Sequence, residues 1–210
     1  MAKSSKLGSG SNPYGVHPSI AMVQKWIADL PEKTGRSLDE WLALIRTEGP
    51  KGEAERRAWL TSKHGLGTNS AWWLAERADG KGEDDDPDKY LASALVYVDG
   101  MFSGKKAGLR PIYDQLLALG LSMGKDVKAC PCKTIVPLYR KHVFAQIKPT
   151  TNTRIDFGLA LRDTPAGGRL IDTGGFARKD RITHRFAIAA ASDIDAEVIS
   201  WLRRAYEMDA

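Results

Sequence analysis

The residues best placed to do chemistry lie in a glycine-containing turn between two helical patterns, within residues 59–77. Gly65 and Gly67 form the turn, and the second helix is predicted to begin near Thr68 and Asn69. The first N–H groups of a helix have no partner inside it and carry a partial positive charge, so they can hold a phosphate. The spacing therefore predicts an anion-binding corner. A plain connector between two helices is the alternative.

Positive charge is concentrated in the second half of the 210-residue chain. Residues 1–90 contain 13 Lys and Arg against 14 Asp and Glu, whereas residues 91–210 contain 18 against 12. Residues 133–185 alone hold 11 basic residues, four Asp and no Glu. This excess indicates an anionic partner for the second half. A solvated basic surface that keeps the protein in solution is the alternative.

No catalytic constellation stands out, so the sequence favours a binding protein over an enzyme, and we predict no cofactor. Cys130 and Cys132 are weak candidates for a metal site together with His142, because two thiolates supply half of a tetrahedral set. Two small buried cysteines are the simpler interpretation. With one residue between them, their side chains are poorly placed for a disulfide.

The first part of the chain is predicted to be helical. Residues 1–17 are polar and rich in Ser and Gly, and we interpret them as a disordered leader. Residues 18–78 show apolar residues at helical spacing in four short segments, with a Ser37–Glu40 capping box at the start of the second. We therefore predict that residues 18–78 form a small all-α domain, with Trp26, Trp41 and Trp59 among its core residues.

An acidic linker over residues 79–89 is predicted to separate this domain from an α+β domain at residues 90–210. Two helices come first and another ends the chain, while the segments between them alternate apolar and polar residues. The fold class is therefore α+β, with an antiparallel sheet covered on one face by helices. The predicted strands cover residues 127–132, 134–139, 142–148, 153–162, 169–172 and 182–189.

Alternation assigns the strand residues to two faces. The apolar face, which the helices would cover, includes Val143, Ala145, Ile147, Phe157 and Ile182. The opposite face would carry an exposed aromatic ring among cations, a combination that suits phosphates and a stackable base. Its predicted nucleic-acid-binding residues are Phe144, Lys148, Arg154, Arg162, Arg181 and Arg185, beside His142, Gln146, Asp156 and Thr183.

Residues 22–78 contain Lys33-Thr34-Gly35, Trp41 and His64-Gly65-Leu66-Gly67 followed by Ala71. With these motifs they resemble an uncharacterised bacterial helical domain of unknown function. Residues 90–208 resemble a second domain of unknown function that is similar to the YdhG-like superfamily. This resemblance implies an α+β fold similar to that of frataxin. An iron site of the frataxin kind would need acidic residues, which residues 133–185 largely lack.

The glycine turn also resembles the helix-hairpin-helix motif of proteins that bind DNA without sequence preference. Leu66, Gly67, Ala71 and Leu74 match its spacing, whereas His64 stands where an apolar residue is usual. This resemblance implies that the turn contacts the DNA backbone.

We therefore expect a bacterial cytoplasmic protein that binds an anionic partner, with nucleic acid as the leading candidate. A small-ligand or metal-handling protein with a pocket beside the sheet is one alternative, and a protein-interaction adaptor is another. No apolar run approaches the ~20 residues needed to span a bilayer, so no membrane association is expected.

Overall fold

Four helices form the first part of the protein, as the apolar spacing predicts. We obtained the structure as a computed structural model, which describes residues 12–81 and 85–210. The four helices are α1 (Pro18–Thr34), α2 (Leu38–Glu48), α3 (Glu53–Ser62) and α4 (Thr68–Ala78). They belong to a compact unit of residues 18–90, which we call the helical unit.

The capping box predicted for α2 is present. The Ser37 hydroxyl accepts the Glu40 N–H at 3.3 Å, and the Glu40 carboxylate accepts the Ser37 N–H at 2.7 Å. Two N–H groups that the helix itself cannot satisfy thus gain partners, which fixes where α2 begins.

Apolar side chains from all four helices fill the core of the helical unit. Trp41 is buried, and Trp26, Trp59 and Trp73 pack against the core while remaining partly exposed. The fully or nearly fully buried core residues are Leu30, Trp41, Ile45, Leu60, Ala71, Leu74 and Ala75.

Arg56 is a buried cation within this core, and it joins α3 to the end of α4. Its guanidinium donates to the Ala75 carbonyl at 2.9 Å and to the Asp79 carboxylate at 2.7 Å. It also donates to the carbonyls of Pro50 and Lys51. Because these acceptors satisfy the guanidinium, it can be buried without an unpaired charge.

The predicted acidic linker is shorter than expected. Asp79 pairs with Arg56, and Asp85 pairs with Arg77 at 2.5 Å within the helical unit. The next helix, α5 (Pro87–Met101), includes residues 87–89, so the linker does not extend to Lys89. Proline is well tolerated in the first turn of a helix, where its missing N–H costs nothing.

Residues 12–17 and 91–210 form the second compact unit, which we call the sheet unit. The predicted disordered leader is therefore wrong for residues 12–17, and residues 1–11 lie outside the described part. The Gly15 N–H donates to the Ala129 carbonyl at 2.9 Å, and the Tyr14 hydroxyl lies 2.9 Å from that of Tyr113. Tyr14 is buried, so the segment contributes an aromatic side chain to the sheet unit.

The sheet unit has an α+β fold, which confirms the predicted class. Its helices are α5 (Pro87–Met101), of which residues 87–90 belong to the helical unit, α6 (Arg110–Leu121) and α7 (Ala196–Glu207), with short 3-10 helices at Gly104–Leu109 and Ala191–Asp193. All six strands lie within predicted segments except that one extends to Pro149. They are β1 (Lys128–Ala129), β2 (Val136–Tyr139), β3 (Val143–Pro149), β4 (Ile155–Leu159), β5 (Ile171–Asp172) and β6 (His184–Ile188).

The strands form one antiparallel sheet in the order β1-β2-β3-β4-β6-β5. Helix α6 packs against β1 and β3 and helix α7 against β3 and β4, and the inward side chains of β2, β3, β4 and β6 are fully buried. We call the other side of the sheet the open face. Residues of the buried face are Val136, Leu138, Ala145, Ile147, Ile155, Phe157, Leu159, Phe186 and Ile188.

Within residues 12–81 and 85–210, no helix has the length and apolar character required to span a membrane.

Candidate nucleic-acid interface

The open face of the sheet forms a cleft of about 570 Å³. Apart from Val143, every strand residue that lines it alternates with the residues of the buried face, because successive side chains of a strand point to opposite sides. We call it the sheet cleft. Its strand residues are Pro137, Tyr139, Val143, Gln146, Lys148, Asp156, Gly158 and Arg185, and its other lining residues are His17, Cys132, Ile135, Thr173, Arg178, Asp180, Arg181 and Ile182.

Four cations line the sheet cleft, as the charge distribution predicts, but most of them are paired. Asp156 accepts from Arg185 Nη1 at 3.0 Å. It also accepts, at 2.9 Å, from Nε of Arg154, a predicted site residue that is not among the residues lining the cleft. Lys148 is exposed, and no ion pair joins it to any residue of the described chain. Lys148 is therefore the cation of this face whose charge is most available to a ligand, and Arg185 is available only in competition with Asp156.

Arg181 is anchored at the edge of the sheet cleft by the last residues of the chain. It forms an ion pair with Asp209 and donates through Nε to the Val143 carbonyl at 2.8 Å. Asp209 also accepts the backbone N–H of His142 at 2.8 Å. Burial alone would raise the pKa of Asp209, but these hydrogen bonds and the Arg181 charge outweigh it and lower the pKa.

The expected exposure of Phe144 on the basic face is wrong. Leu138 pairs with Ala145, whereas the next residue of β2, Tyr139, pairs with Val143, so β3 carries one extra residue in a β-bulge. The bulge turns Phe144 inward, where it is fully buried and packs against Tyr206 of α7 with ring centroids 5.7 Å apart. Val143, which was expected on the buried face, lines the sheet cleft instead.

A second exchange of faces occurs just before β6. Thr183 was expected on the basic face but is buried, and Ile182 was expected in the core but lines the sheet cleft. The Thr183 hydroxyl accepts the Leu161 N–H at 3.1 Å and lies 2.8 Å from Nδ1 of His184. These hydrogen bonds satisfy the hydroxyl and allow its burial. His184 is buried as well.

A second cleft of about 550 Å³ lies beside the first and shares Asp180 and Arg181 with it. We call it the Phe176 cleft, because the side chain of Phe176 is 56% exposed there. Arg162, a predicted site residue, lines this cleft and not the sheet cleft. Sequence reasoning missed Phe176, although an aromatic residue in the glycine-rich, basic run of residues 174–179 was a usable signal.

The glycine turn of the helical unit has the geometry of a tight helix connection. Gly65 has φ of +67°, and its N–H donates to the Thr61 carbonyl at 3.1 Å, which closes α3. Gly67 is the N-cap of α4 without a side-chain cap, so the N–H groups of Thr68 and Asn69 begin the helix there. A Cβ built on Gly67 has open space around it.

The three weak metal candidates are not brought together. The thiol of the buried Cys130 lies 3.7 Å from the Val16 carbonyl oxygen, and burial raises the pKa of this thiol to about 12. Cys132 lines the sheet cleft, and His142 Nδ1 lies 3.0 Å from Asp209. In the described parts of the chain, no three His, Cys, Asp or Glu side chains are arranged to hold a metal ion.

The helical unit has an apolar groove of about 460 Å³, lined by Met22, Val23, Trp26, Asn69, Trp72 and Trp73. Met22 is 72% exposed and Trp72 is 43% exposed, while Trp26 packs edge-on against Trp73. Exposed apolar side chains grouped in this way are typical of an interaction surface.

The sheet unit, with its open basic face, corresponds to a described family. Residues 98–209 match the family described as Domain of unknown function (DUF5655), and because the match covers more than half of the chain, the protein belongs to that family. Residues 22–80 match a second family, described as Domain of unknown function (DUF4287). Comparison with curated proteins gave no match, and comparison with solved structures gave none.

Proposed function

We propose that this protein binds an anionic partner, nucleic acid first of all, through the open face of its sheet. The observation that carries the proposal is the sheet cleft, where Lys148, Arg178, Arg181 and Arg185 line a concave surface whose described lining residues lie in strands and loops. A groove of this kind can follow a phosphate backbone, and each neutralised phosphate adds a favourable, salt-dependent contribution to binding.

The pairing of the cations limits the affinity that the charge count alone would suggest. Asp156 and Asp180 also line the cleft, so phosphates must compete with carboxylates for Arg185 and Arg178. Moderate affinity with a clear salt dependence is therefore expected, together with little sequence preference, because phosphate contacts carry no base information.

Charge reversal at Lys148 tests the proposal. We expect Lys148→Glu to weaken binding of labelled oligonucleotides at least tenfold, because it removes a cation that forms no ion pair with the described residues and adds a repulsive charge. Lys125→Glu is the matched control, since Lys125 is an exposed lysine in the turn between α6 and β1, outside the cleft. Fluorescence anisotropy measures both. Equal affinities of the two variants would contradict the proposal.

The glycine turn is proposed as a second contact with the same partner. The start of α4 supplies free N–H groups, and Gly67 leaves open space through which a phosphate can approach. Gly67→Glu should lower DNA affinity, whereas Gly67→Ala, which also fits the open space, should lower it much less. Wild-type affinity in a folded Gly67→Glu variant would remove the turn from the interface.

We also propose that the sheet unit is related to the YdhG-like superfamily, with its frataxin-like fold. The antiparallel sheet with helices on one face supports this relationship. We likewise propose a place in the bacterial cytoplasm, where thiols such as those of Cys130 and Cys132 stay reduced.

The adaptor alternative has one observation in its favour, the apolar groove with Met22 and Trp72 exposed. It would use the helical unit to bind a protein and is compatible with nucleic-acid binding by the sheet unit.

A further inference from the structure

The loop that carries Phe176 is held in one conformation by its own hydrogen bonds. The Asp180 N–H donates to the Gly175 carbonyl at 2.8 Å, and the Thr173 N–H donates to the Thr183 carbonyl at 3.0 Å. The Arg178 side chain adds two hydrogen bonds within the loop, to the Thr173 carbonyl at 3.1 Å and to the Asp180 carboxylate at 3.0 Å. The exposed ring thus lies on a fixed loop, so the entropic cost of ordering it on binding is small.

The Phe176 cleft combines this ring with two cations, Arg162 and Lys179, for which the described residues provide no carboxylate partner. Lys179 forms no ion pair with the described residues, and Arg162 donates only to the Met208 carbonyl, at 3.4 Å. Both residues have a positive φ, 55° for Arg162 and 61° for Lys179, a backbone conformation that side-chain-bearing residues rarely adopt. No other non-glycine residue of the described chain has one, and such conformations concentrate at functional sites.

We propose that the Phe176 cleft binds an unpaired base and its phosphate, so that the nucleic-acid partner is single-stranded. The base stacks on the Phe176 ring, and the adjoining phosphate is held by Arg162 and Lys179. A base inside a duplex has no free face for this contact, whereas every single-stranded base has one, and stacking of this type is tolerant of sequence. The inference rests on the proposed function of the sheet cleft and adds the strandedness of its partner.

A pair of substitutions at Phe176 tests the stacking contact in the full chain. Phe176→Leu keeps apolar bulk but removes the ring, whereas Phe176→Tyr keeps the ring. The probe is a fluorescein-labelled oligothymidylate of about 12 nucleotides, within the usual site size of single-strand-binding folds, and a duplex of the same length is measured in parallel.

We expect Phe176→Leu to weaken single-strand affinity about tenfold and Phe176→Tyr to retain it within about twofold, while both leave duplex affinity unchanged. Because residue 176 is exposed, both variants should have the melting temperature of the wild type. Wild-type single-strand affinity in Phe176→Leu, or equal losses for both probes, would overturn the inference. Lys148→Glu separates the two proposals. If Lys148→Glu loses affinity while Phe176→Leu does not, the proposed stacking on Phe176 is wrong and the proposed function of the sheet cleft stands. If the wild type binds neither the single strand nor the duplex, both proposals are wrong.

Discussion

His64 shows how strongly a single ring can be constrained by its neighbours. It lies between two tryptophans, with ring centroids 4.3 Å from Trp59 and 5.5 Å from Trp41, both edge-on. Its Nε2 atom is buried, and no residue of the described chain bonds to it. Burial lowers the pKa of His64, and the charges of Lys63 and Arg36 lower it further. The folded protein therefore resists protonation of this ring.

The stability of the helical unit should consequently fall in mild acid. Above pH ~6.5, His64 is neutral in both folded and unfolded chains and has no effect on the balance. Below that value the unfolded chain takes up a proton that the folded one resists, so the unfolding equilibrium constant rises by at most about tenfold per pH unit until the lowered pKa is reached. His64→Leu should flatten this dependence in urea titrations followed by tryptophan fluorescence. An unchanged slope in the variant would contradict the argument.

At the scale of elements, the loop between β5 and β6 depends on the absence of a side chain at Gly175. A Cβ there would collide with the Ile182 carbonyl oxygen and lie 3.1 Å from the Thr183 Cα. The backbone of residues 182–183 therefore passes so close to Gly175 that the loop can adopt its observed form only with a residue that has no side chain at this position.

Gly175→Ala should therefore destabilise the protein by about 1 to 3 kcal/mol, the usual cost of forcing extra atoms into a packed position. Gly167→Ala is the matched control, because a Cβ at Gly167 meets no atom within 4 Å. Thermal melting of both variants gives the comparison. Equal melting temperatures would show that the loop adjusts without cost.

Alternation located all six strands of the sheet, because one buried face imposes a period of two on the sequence. It failed where the backbone departs from that period. The bulge at Phe144 adds a residue to β3 and reverses the predicted faces of Val143 and Phe144. A bulge depends on how two strands register in three dimensions, and neither strand carries a local sign of it.

The candidate site was likewise predictable in part, where it depends on the alternation of strand residues. Lys148 and Arg185 line the sheet cleft where alternation placed them, whereas Arg162 lies in the Phe176 cleft. Asp156 was placed on this face with Arg154 and Arg185, but the partner of Arg181 was not foreseen, because Asp209 reaches it from a distant part of the chain. Contacts between residues so distant in sequence require the tertiary fold.

At the scale of the whole molecule, the sheet unit is discontinuous in sequence. Residues 12–17 belong to it, although residues 18–90 separate this segment from the rest of the unit at residues 91–210. The hydroxyl groups of Tyr14 and Tyr113 lie 2.9 Å apart in a buried contact, and burial raises the pKa of both. A fragment that begins at residue 90 would leave the Tyr113 hydroxyl without this partner.

Tyr14→Phe should lower the free energy of unfolding by about 1 to 2 kcal/mol, because it leaves a buried hydroxyl unsatisfied. The double variant Tyr14→Phe/Tyr113→Phe should be less destabilised than the sum of the two single variants, since neither hydroxyl then lacks a partner. Urea titrations of the three variants and the wild type measure the coupling. Additive losses would mean that the two hydroxyls do not stabilise each other.

In the proposed complex, an anionic strand binds the open face and the Phe176 cleft through a few phosphate contacts. The most direct test is the affinity of the full chain for labelled oligothymidylate over a range of salt concentrations. Two to four phosphate contacts predict a straight line of log affinity against log salt, with a negative slope of magnitude about 1.4 to 2.8. Absence of binding at low salt, or an affinity that salt does not change, would contradict the claim.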